Sequence, residues 1–280
     1  MCWSGYDRKK GNELSTKMNV LKRSDMKVEN GFSYFEAPRI THLEWLRHAF
    51  LTRKGGMSPL PFDSLNLGKC NGDSEAHVMT NKKLIASAFS FDPDRLILLR
   101  QVHQDRILIL KEPHSPIPSD LEYDALITNS PNRFLGIKTA DCLPILVTDP
   151  VKKVIAAIHA GRQGTGLRIT GQVLKRMKVE FSCLPEDLLV ALGPSIGPCC
   201  YEIDGKVFLP EWEPFSAPRR EDKWMVDLPG INIAQIKEEG IREDQIFWIS
   251  LCTHCNSDLF FSYRREGQTG RQLSFIGKKA

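Results

Sequence analysis

The stretch Phe134–Gly166, FLGIKTADCLPILVTDPVKKVIAAIHAGRQGTG, decides how the rest of the chain is read. It holds two apolar runs, Leu143–Thr148 and Val154–His159, joined through Asp149-Pro150-Val151-Lys152. Short apolar runs rich in β-branched residues and bounded by turn formers read as strands, and a four-residue connection suits a hairpin. Taken at face value, that loop pairs Thr148 with Lys153, and the same register sets Cys142 opposite His159. Their Cβ atoms would then lie roughly 4.5–5.5 Å apart on one face. Three readings stay open for such a pair. It can share a metal ion, act as a nucleophile and its base, or be a buried thiol beside a satisfied imidazole. Pro144 sits awkwardly in a central strand, so the pairing is expected to begin loosely.

Outward from this hairpin, the composition is that of an ordinary soluble chain. It has 280 residues, 41% hydrophobic and 26% charged, enough for one full core. A net charge of +4 is too small to argue for nucleic acid or an anionic membrane. No apolar run is long enough to cross a bilayer, and the first 31 residues lack the apolar segment of a secretory signal. A cytoplasmic location is therefore expected, and the eight cysteines are expected as thiols or metal ligands rather than a disulfide framework.

Residues 1–31 are basic and without periodicity, and read as a loosely ordered leader; 32–280 read as a single domain. Strands are expected at Phe32–Phe35, His48–Thr52, Arg95–Val102, Ile107–Lys111, Asp124–Asn129, Leu188–Leu192, Gln245–Cys252, and in a hairpin of Leu259–Arg265 with Gln272–Ile276. Helices are expected at Glu75–Phe89, Leu167–Lys178 and Ile231–Glu239, with Gly240 as C-cap. Glu112–Tyr123 and Glu211–Asp222 read as loops. Strands outnumber helices and several adjoin directly, which favours an α+β fold of packed mixed sheets.

Among the polar residues, His103 follows an apolar strand and would give Cys142 and His159 a third soft donor. Two imidazoles and one thiolate leave one tetrahedral corner open, as in catalytic zinc sites. Arg53 and Asn66, in the packed loop Thr52–Gly68, can reach a ligand or bind loop backbone. Gly161, Gly164 and Gly166 precede a helix and can offer N–H groups to an anion, or merely turn the chain. Cys199, Cys200, Cys252 and Cys255 raise a second metal site, although free thiols are the default reading.

Together, TRKGG…SLNLG, RQVH, TADCLPIL, HAG, ALGPSIGPCCYEI and LCT…FFSYRREGQTGR resemble the YfiH-type laccase-domain family, also called the multicopper polyphenol oxidase or purine nucleoside phosphorylase family. The likeness runs from about Thr52 to Arg271. It implies one domain of packed mixed sheets with flanking helices, and a single metal, zinc with copper as alternative, on His103, Cys142 and His159. A multicopper oxidase needs several copper centres, for which seven histidines are few. The implied activity is phosphorolysis of adenosine, inosine and methylthioadenosine, with adenosine deamination; some bacterial members are described as peptidoglycan-precursor editing factors. Arg53, Asn66, Gln101, Arg162 and Gln163 are the implied candidates for nucleoside and phosphate, and Asp141 for acid–base or ligand-orienting work beside Cys142. The family's HAGWRG stands here as His159-Ala160-Gly161-Arg162-Gln163-Gly164, and glutamine cannot make the bidentate charged contacts of arginine. A metal-free Cys142–His159 hydrolase or amidase and a catalytically weak binding protein are the competing readings; the chain is expected to be a monomer or homodimer.

Overall fold

The structure, a computed structural model, describes residues 19–69, 72–111 and 122–279. Its centre is the hairpin of Leu143–Asp149 and Val154–Ala160, in which all fourteen residues are buried. A strand apolar at successive positions has to be covered on both faces. Leu143, Ile145, Val147, Val154, Ala156 and Ile158 pack on one side, with the helices Ile169–Phe181 and Leu228–Glu238 over them. Leu146, Ile155 and Ala157 pack on the other side, with Phe50, Leu135 and Ile276 of a second sheet.

The first sheet runs in the order Asn19–Leu21, Ile246–Ile249, Leu189–Leu192, Leu143–Asp149, Val154–Ala160, Ala125–Thr128, Ile107–Leu110. The second runs Lys27–Glu29, Phe32–Phe35, Leu46–Leu51, Gln272–Lys278, Arg133–Thr139, Leu96–Leu98. Both mix parallel and antiparallel pairs. The helix Glu75–Ala88 covers the outer face of the second sheet through Ile85, giving the layers helix, sheet, sheet, helix. A small sheet of Glu202–Asp204, Lys223–Val226 and Ser216–Arg220 closes over Trp212. The α+β expectation of packed mixed sheets is met. No helix among the described residues is long and apolar enough to cross a membrane.

Several expectations need correction. The hairpin loop is Pro150–Lys153, closed by Asp149 opposite Val154, so the register differs by two residues from the one expected. Asp149 Oδ1 accepts from the N–H groups of Val151 and Lys152, both at 2.8 Å, which places Asp149 inside the strand end as a turn cap. His159 therefore faces Pro144, and Cys142 lies just beyond the ladder. A shift of two preserves the side-chain face, so Cys142 and His159 still point to the same side. Leu259–Arg265 is not a strand. The Arg265 guanidinium donates to the carbonyls of Thr253, His254 and Phe260, which folds the segment into turns ending in the helical turn Tyr263–Glu266. Gln272–Lys278 pairs instead with Leu46–Leu51 and Arg133–Thr139. Only Leu96–Leu98 of Arg95–Val102 is strand, because the chain then turns away around Asp124. Ser216–Arg220, read as loop, is a strand, and pairing by Asn19–Leu21 and Lys27–Glu29 reaches into the stretch read as a leader. Residues 1–18 lie outside the described residues, as does most of the expected loop 112–123.

The loop residues 52–69 and 72–74 are held by buried side chains. Asn81 accepts from Met57 N–H at 2.8 Å and donates to Ser58 Oγ and the carbonyls of Ser64 and Asn66. Asp73 accepts from Asn66 Nδ2 at 2.9 Å and Ser74 N–H at 2.7 Å. Burial pushes the Asp73 carboxyl up, but these bonds, with those from Ser58 and His77, outweigh it and hold it below the usual range.

Gly277 lies opposite Phe134, and a Cβ at Gly277 would collide with that ring. Gly277→Ala is expected to cost about 1–3 kcal/mol in urea unfolding. Asp73→Asn should cost about 1–2 kcal/mol at pH 7. Because the folded carboxyl titrates below the unfolded value of about 3.9, its stabilisation is complete above that pH and is lost as pH falls through the folded value. The gap between wild type and Asp73→Asn should therefore close on acidification.

Candidate metal centre and its surroundings

His103, Cys142 and His159 come together, each offering one ligand atom, with those atoms within 4.8 Å of one another. The two imidazole rings meet edge to face with centroids 4.8 Å apart. His159 stands one residue before the end of the central hairpin and is 2% exposed, while His103 is on the surface side, so one flank of the cluster is open to solvent. The soft donor set, two imidazoles and a thiolate, suits zinc or copper, and its spacing is compatible with metal–nitrogen bonds near 2.0–2.1 Å and metal–sulfur bonds near 2.3 Å.

Asp124, immediately before the strand Ala125–Thr128, organises the cluster. Its carboxylate accepts from the N–H groups of Val102 at 3.2 Å, His103 at 2.9 Å and Gln104 at 2.8 Å. Three successive N–H groups converge on one anion, and His103 in their middle is held at φ +62, a conformation uncommon for a non-glycine residue. The same carboxylate lies 2.7 Å from His159 Nδ1, which leaves Nε2 as the free ring nitrogen. Burial pushes Asp124 up, but the bond from His159 and those from the turn outweigh it, and the group stays an anion.

The charges of the three donors are mutually dependent. Burial pushes the Cys142 thiol up; the His159 charge and hydrogen bonds from His103 and His159 outweigh it and bring it to about 6. Burial pushes His159 down; the Cys142 charge and the bond to Asp124 outweigh it and bring it to about 9. Each charge favours the other: negative charge on Cys142 holds His159 up, and positive charge on His159 holds Cys142 down.

Gly161 explains how closely the chain approaches this centre. A Cβ there would lie 3.0 Å from Cys142 Sγ and 3.4 Å from His103 Cδ2. Gly161, expected to turn the chain or to offer its N–H to an anion, is thus also the point where backbone meets the donor cluster. The helix after it, Arg162–Gly166, is a single short turn, and the longer helix begins at Ile169.

Asp141 sits at φ +98 with both carboxylate oxygens engaged, by Thr253 Oγ1 at 2.6 Å and Arg264 N–H at 2.7 Å. It holds two loops beside Cys142. Gln101 donates to the Lys138 carbonyl and accepts from the Lys138 N–H, at 2.8 and 2.9 Å, so both ends of its amide extend the neighbouring strand. Asn66 is fully buried and accepts from the N–H groups of Gly68 and Arg271. Arg53 donates to the Asp63 carbonyl at 2.7 Å, pairs with Asp63 and Glu266, and lies 4.5 Å over the Phe261 ring. Gln163 is exposed and Arg162 half-buried at the mouth.

Three residues absent from the sequence candidates belong to this corner. Tyr201 is pushed up to about 12 by burial and then by the Cys142 charge, against the opposing charges of Arg162 and Arg264. Arg264 lies over its ring at 5.4 Å. Arg271 is lowered by burial, while Cys142 and Asp141 act in the opposite direction. Both arginines lie in the quoted motif FFSYRREGQTGR, whose assignment to a hairpin hid them.

Residues 47–279 match the family model described as multi-copper polyphenol oxidoreductase laccase. The chain is 33% identical over 246 residues to a protein named purine nucleoside phosphorylase YlmD from Bacillus subtilis (strain 168), covering 82% of this chain and 87% of that protein. It is 36% identical over 231 residues to purine nucleoside phosphorylase YfiH from Escherichia coli (strain K12), covering 80% and 90%. Among solved structures, a hypothetical protein YfiH from Bacillus licheniformis superposes with a TM-score of 0.82 at 33% identity, covering 91% of this chain and 99% of that one.

Asp124→Asn keeps the shape of the side chain but removes its charge. It is expected to weaken zinc binding about 10–100-fold, measured by competition with a chromophoric chelator, with the fold retained by circular dichroism.

Proposed function

The chain belongs to the multi-copper polyphenol oxidoreductase laccase family, and from that premise we propose that it is a zinc-dependent purine nucleoside phosphorylase with accompanying adenosine deaminase activity. The observation that carries this reading is the meeting of His103, Cys142 and His159 beside three arginines. His103, Cys142 and His159 would hold the ion, with Asp124 fixing the tautomer of His159. A bound zinc supplies Lewis acidity and lowers the pKa of an oxygen ligand.

The remaining chemistry falls to the chain. In phosphorolysis an oxygen of phosphate forms a bond to C1′ of the ribose as the bond from C1′ to N9 of the base breaks. The bonding electrons leave with the base, which takes up a proton. Arg162, Arg264 and Arg271 supply positive charge for the phosphate, as guanidinium groups do at phosphate sites. Arg162 occupies the place beside the one where the family carries its arginine, and with Arg264 it faces Tyr201. The nucleoside therefore enters on the solvent side of His103, with Tyr201 as a neighbouring wall. Adenosine, inosine and methylthioadenosine share the bond that is broken. Deamination replaces the amino group at C6 by a water oxygen and releases ammonia.

A second reading rests on one observation: Cys142, His159 and Asp124 are also arranged as nucleophile, base and orienting acid. As a hydrolase or amidase the pair would act without metal.

One experiment separates them. Purified chain, stripped of loosely held ions, is analysed for metal and incubated with adenosine, inosine and methylthioadenosine with and without phosphate. Release of free base that needs phosphate, and that is lost with the zinc in Cys142→Ala, is the expected result. Base release without phosphate dependence, or retained in Cys142→Ala, overturns phosphorolysis at this centre. Full activity of metal-free chain toward esters or amides, abolished by thiol alkylation, would instead establish the hydrolase.

A further inference from the structure

A second group of soft donors lies apart from the first. Cys199 and Cys200, in the turn after Leu189–Leu192, meet Cys252 and Cys255, in the turn after Ile246–Ile249, with all four sulfurs within 4.8 Å of one another. The two parent strands run side by side and parallel, so their ends emerge together. Ser195 bridges Cys252, and Thr253 N–H donates to the Ser195 carbonyl at 3.0 Å, which fixes one turn against the other.

The spacing fits a metal thiolate. Cys255 Sγ lies 3.6 Å from Cys199 Sγ and 3.4 Å from Cys200 Sγ. A tetrahedron with metal–sulfur bonds of 2.3 Å has edges of about 3.8 Å. Gly197 N–H donates to Cys252 Sγ at 3.2 Å, a bond that stabilises sulfur carrying negative charge. A Cβ on Gly197 would stand 3.3 Å from Cys252 Cβ and 3.5 Å from Cys199 Sγ, so glycine is what lets the backbone sit against the cluster. Cys255 is disulfide-bonded in this structure, whereas Cys199, Cys200 and Cys252 are free.

We propose that Cys199, Cys200, Cys252 and Cys255 form a redox-gated site for one zinc-class ion, separate from the His103–Cys142–His159 centre. When Cys255 is in a disulfide, the fourth ligand is missing. A dithiol reductant opens the site: the S–S bond of Cys255 breaks, the two sulfurs of the reductant join, two electrons pass to the chain, and two protons go to the released thiols. Binding the ion then forms four metal–sulfur bonds and releases the four thiol protons to solvent. The bound ion clamps the two turns together. Thr253, next to Cys252, donates to Asp141, next to Cys142, so this clamp braces the loop that carries the first centre.

The test uses the full chain, reduced with dithiothreitol, loaded with zinc, desalted, and analysed for metal. Two zinc ions per chain are expected for wild type and one each for Cys142→Ala and Cys252→Ser. Oxidised Cys142→Ala should hold none. Cobalt added to reduced Cys142→Ala should show intense thiolate-to-metal charge-transfer absorption, a readout that needs no change in the cluster itself. If reduced Cys142→Ala holds no zinc and gives no such absorption, or if Cys252→Ser holds as much zinc as wild type, the proposal is overturned. Equal zinc in reduced and oxidised Cys142→Ala overturns the gating. A wild-type chain with one zinc, lost in Cys252→Ser and kept in Cys142→Ala, would uphold this site while removing the zinc from the proposed function.

Discussion

The buried carboxylate of Asp124 is the interaction on which the first centre depends. It is fully shielded from water, and an unpaired charge there would be costly. Three N–H groups of the 102–104 turn and the Nδ1 of His159 surround it instead. One anion thereby fixes two of the three donors, the first by bending the chain at His103 and the second by choosing which nitrogen of His159 is free. The third donor, Cys142, comes from the adjoining strand end, where pairing has ceased and the backbone can turn.

The layered core decides where such a cluster can exist. The central hairpin is buried on both faces, and the face carrying Leu146, Ile155 and Ala157 is packed against the second sheet. Cys142 and His159 share the side-chain parity of that face and stand at its end. A polar cluster further along the same strands would replace apolar contacts with groups needing partners. At the sheet end, the turn around Asp124 and the loops tied by Asp141 supply those partners.

What could be read from the residues follows the same physics. Apolar runs with period and length are local properties, and the central hairpin, the helix over Glu75–Ala88 and the mixed layered fold were legible from them. The register was not, because it depended on whether Asp149 belonged to strand or loop, and its side chain caps the turn from inside the strand. Parity survived because the error was even. Leu259–Arg265 has strand-like composition, yet its arginine binds three carbonyls and bends it, a contact set by tertiary placement. Asp124, Arg264 and Arg271 were missed for a related reason: their partners lie on other segments, and no spacing within the chain marks them.

The charges at the centre depend on one another. The thiolate of Cys142 is stabilised by positive charge on His159, and that charge in turn rests on Asp124. His103, Cys142 and His159 would hold a divalent ion at this place, and it would supply the positive charge that a proton on His159 supplies otherwise. Asp124 takes up Nδ1 of His159 and leaves the other ring nitrogen as the one that would serve a cation. The arginines nearby add no donor to the cluster but raise the local potential around it. The same fold thus separates two demands, soft donors at the sheet end and fixed positive charge in the loops above it.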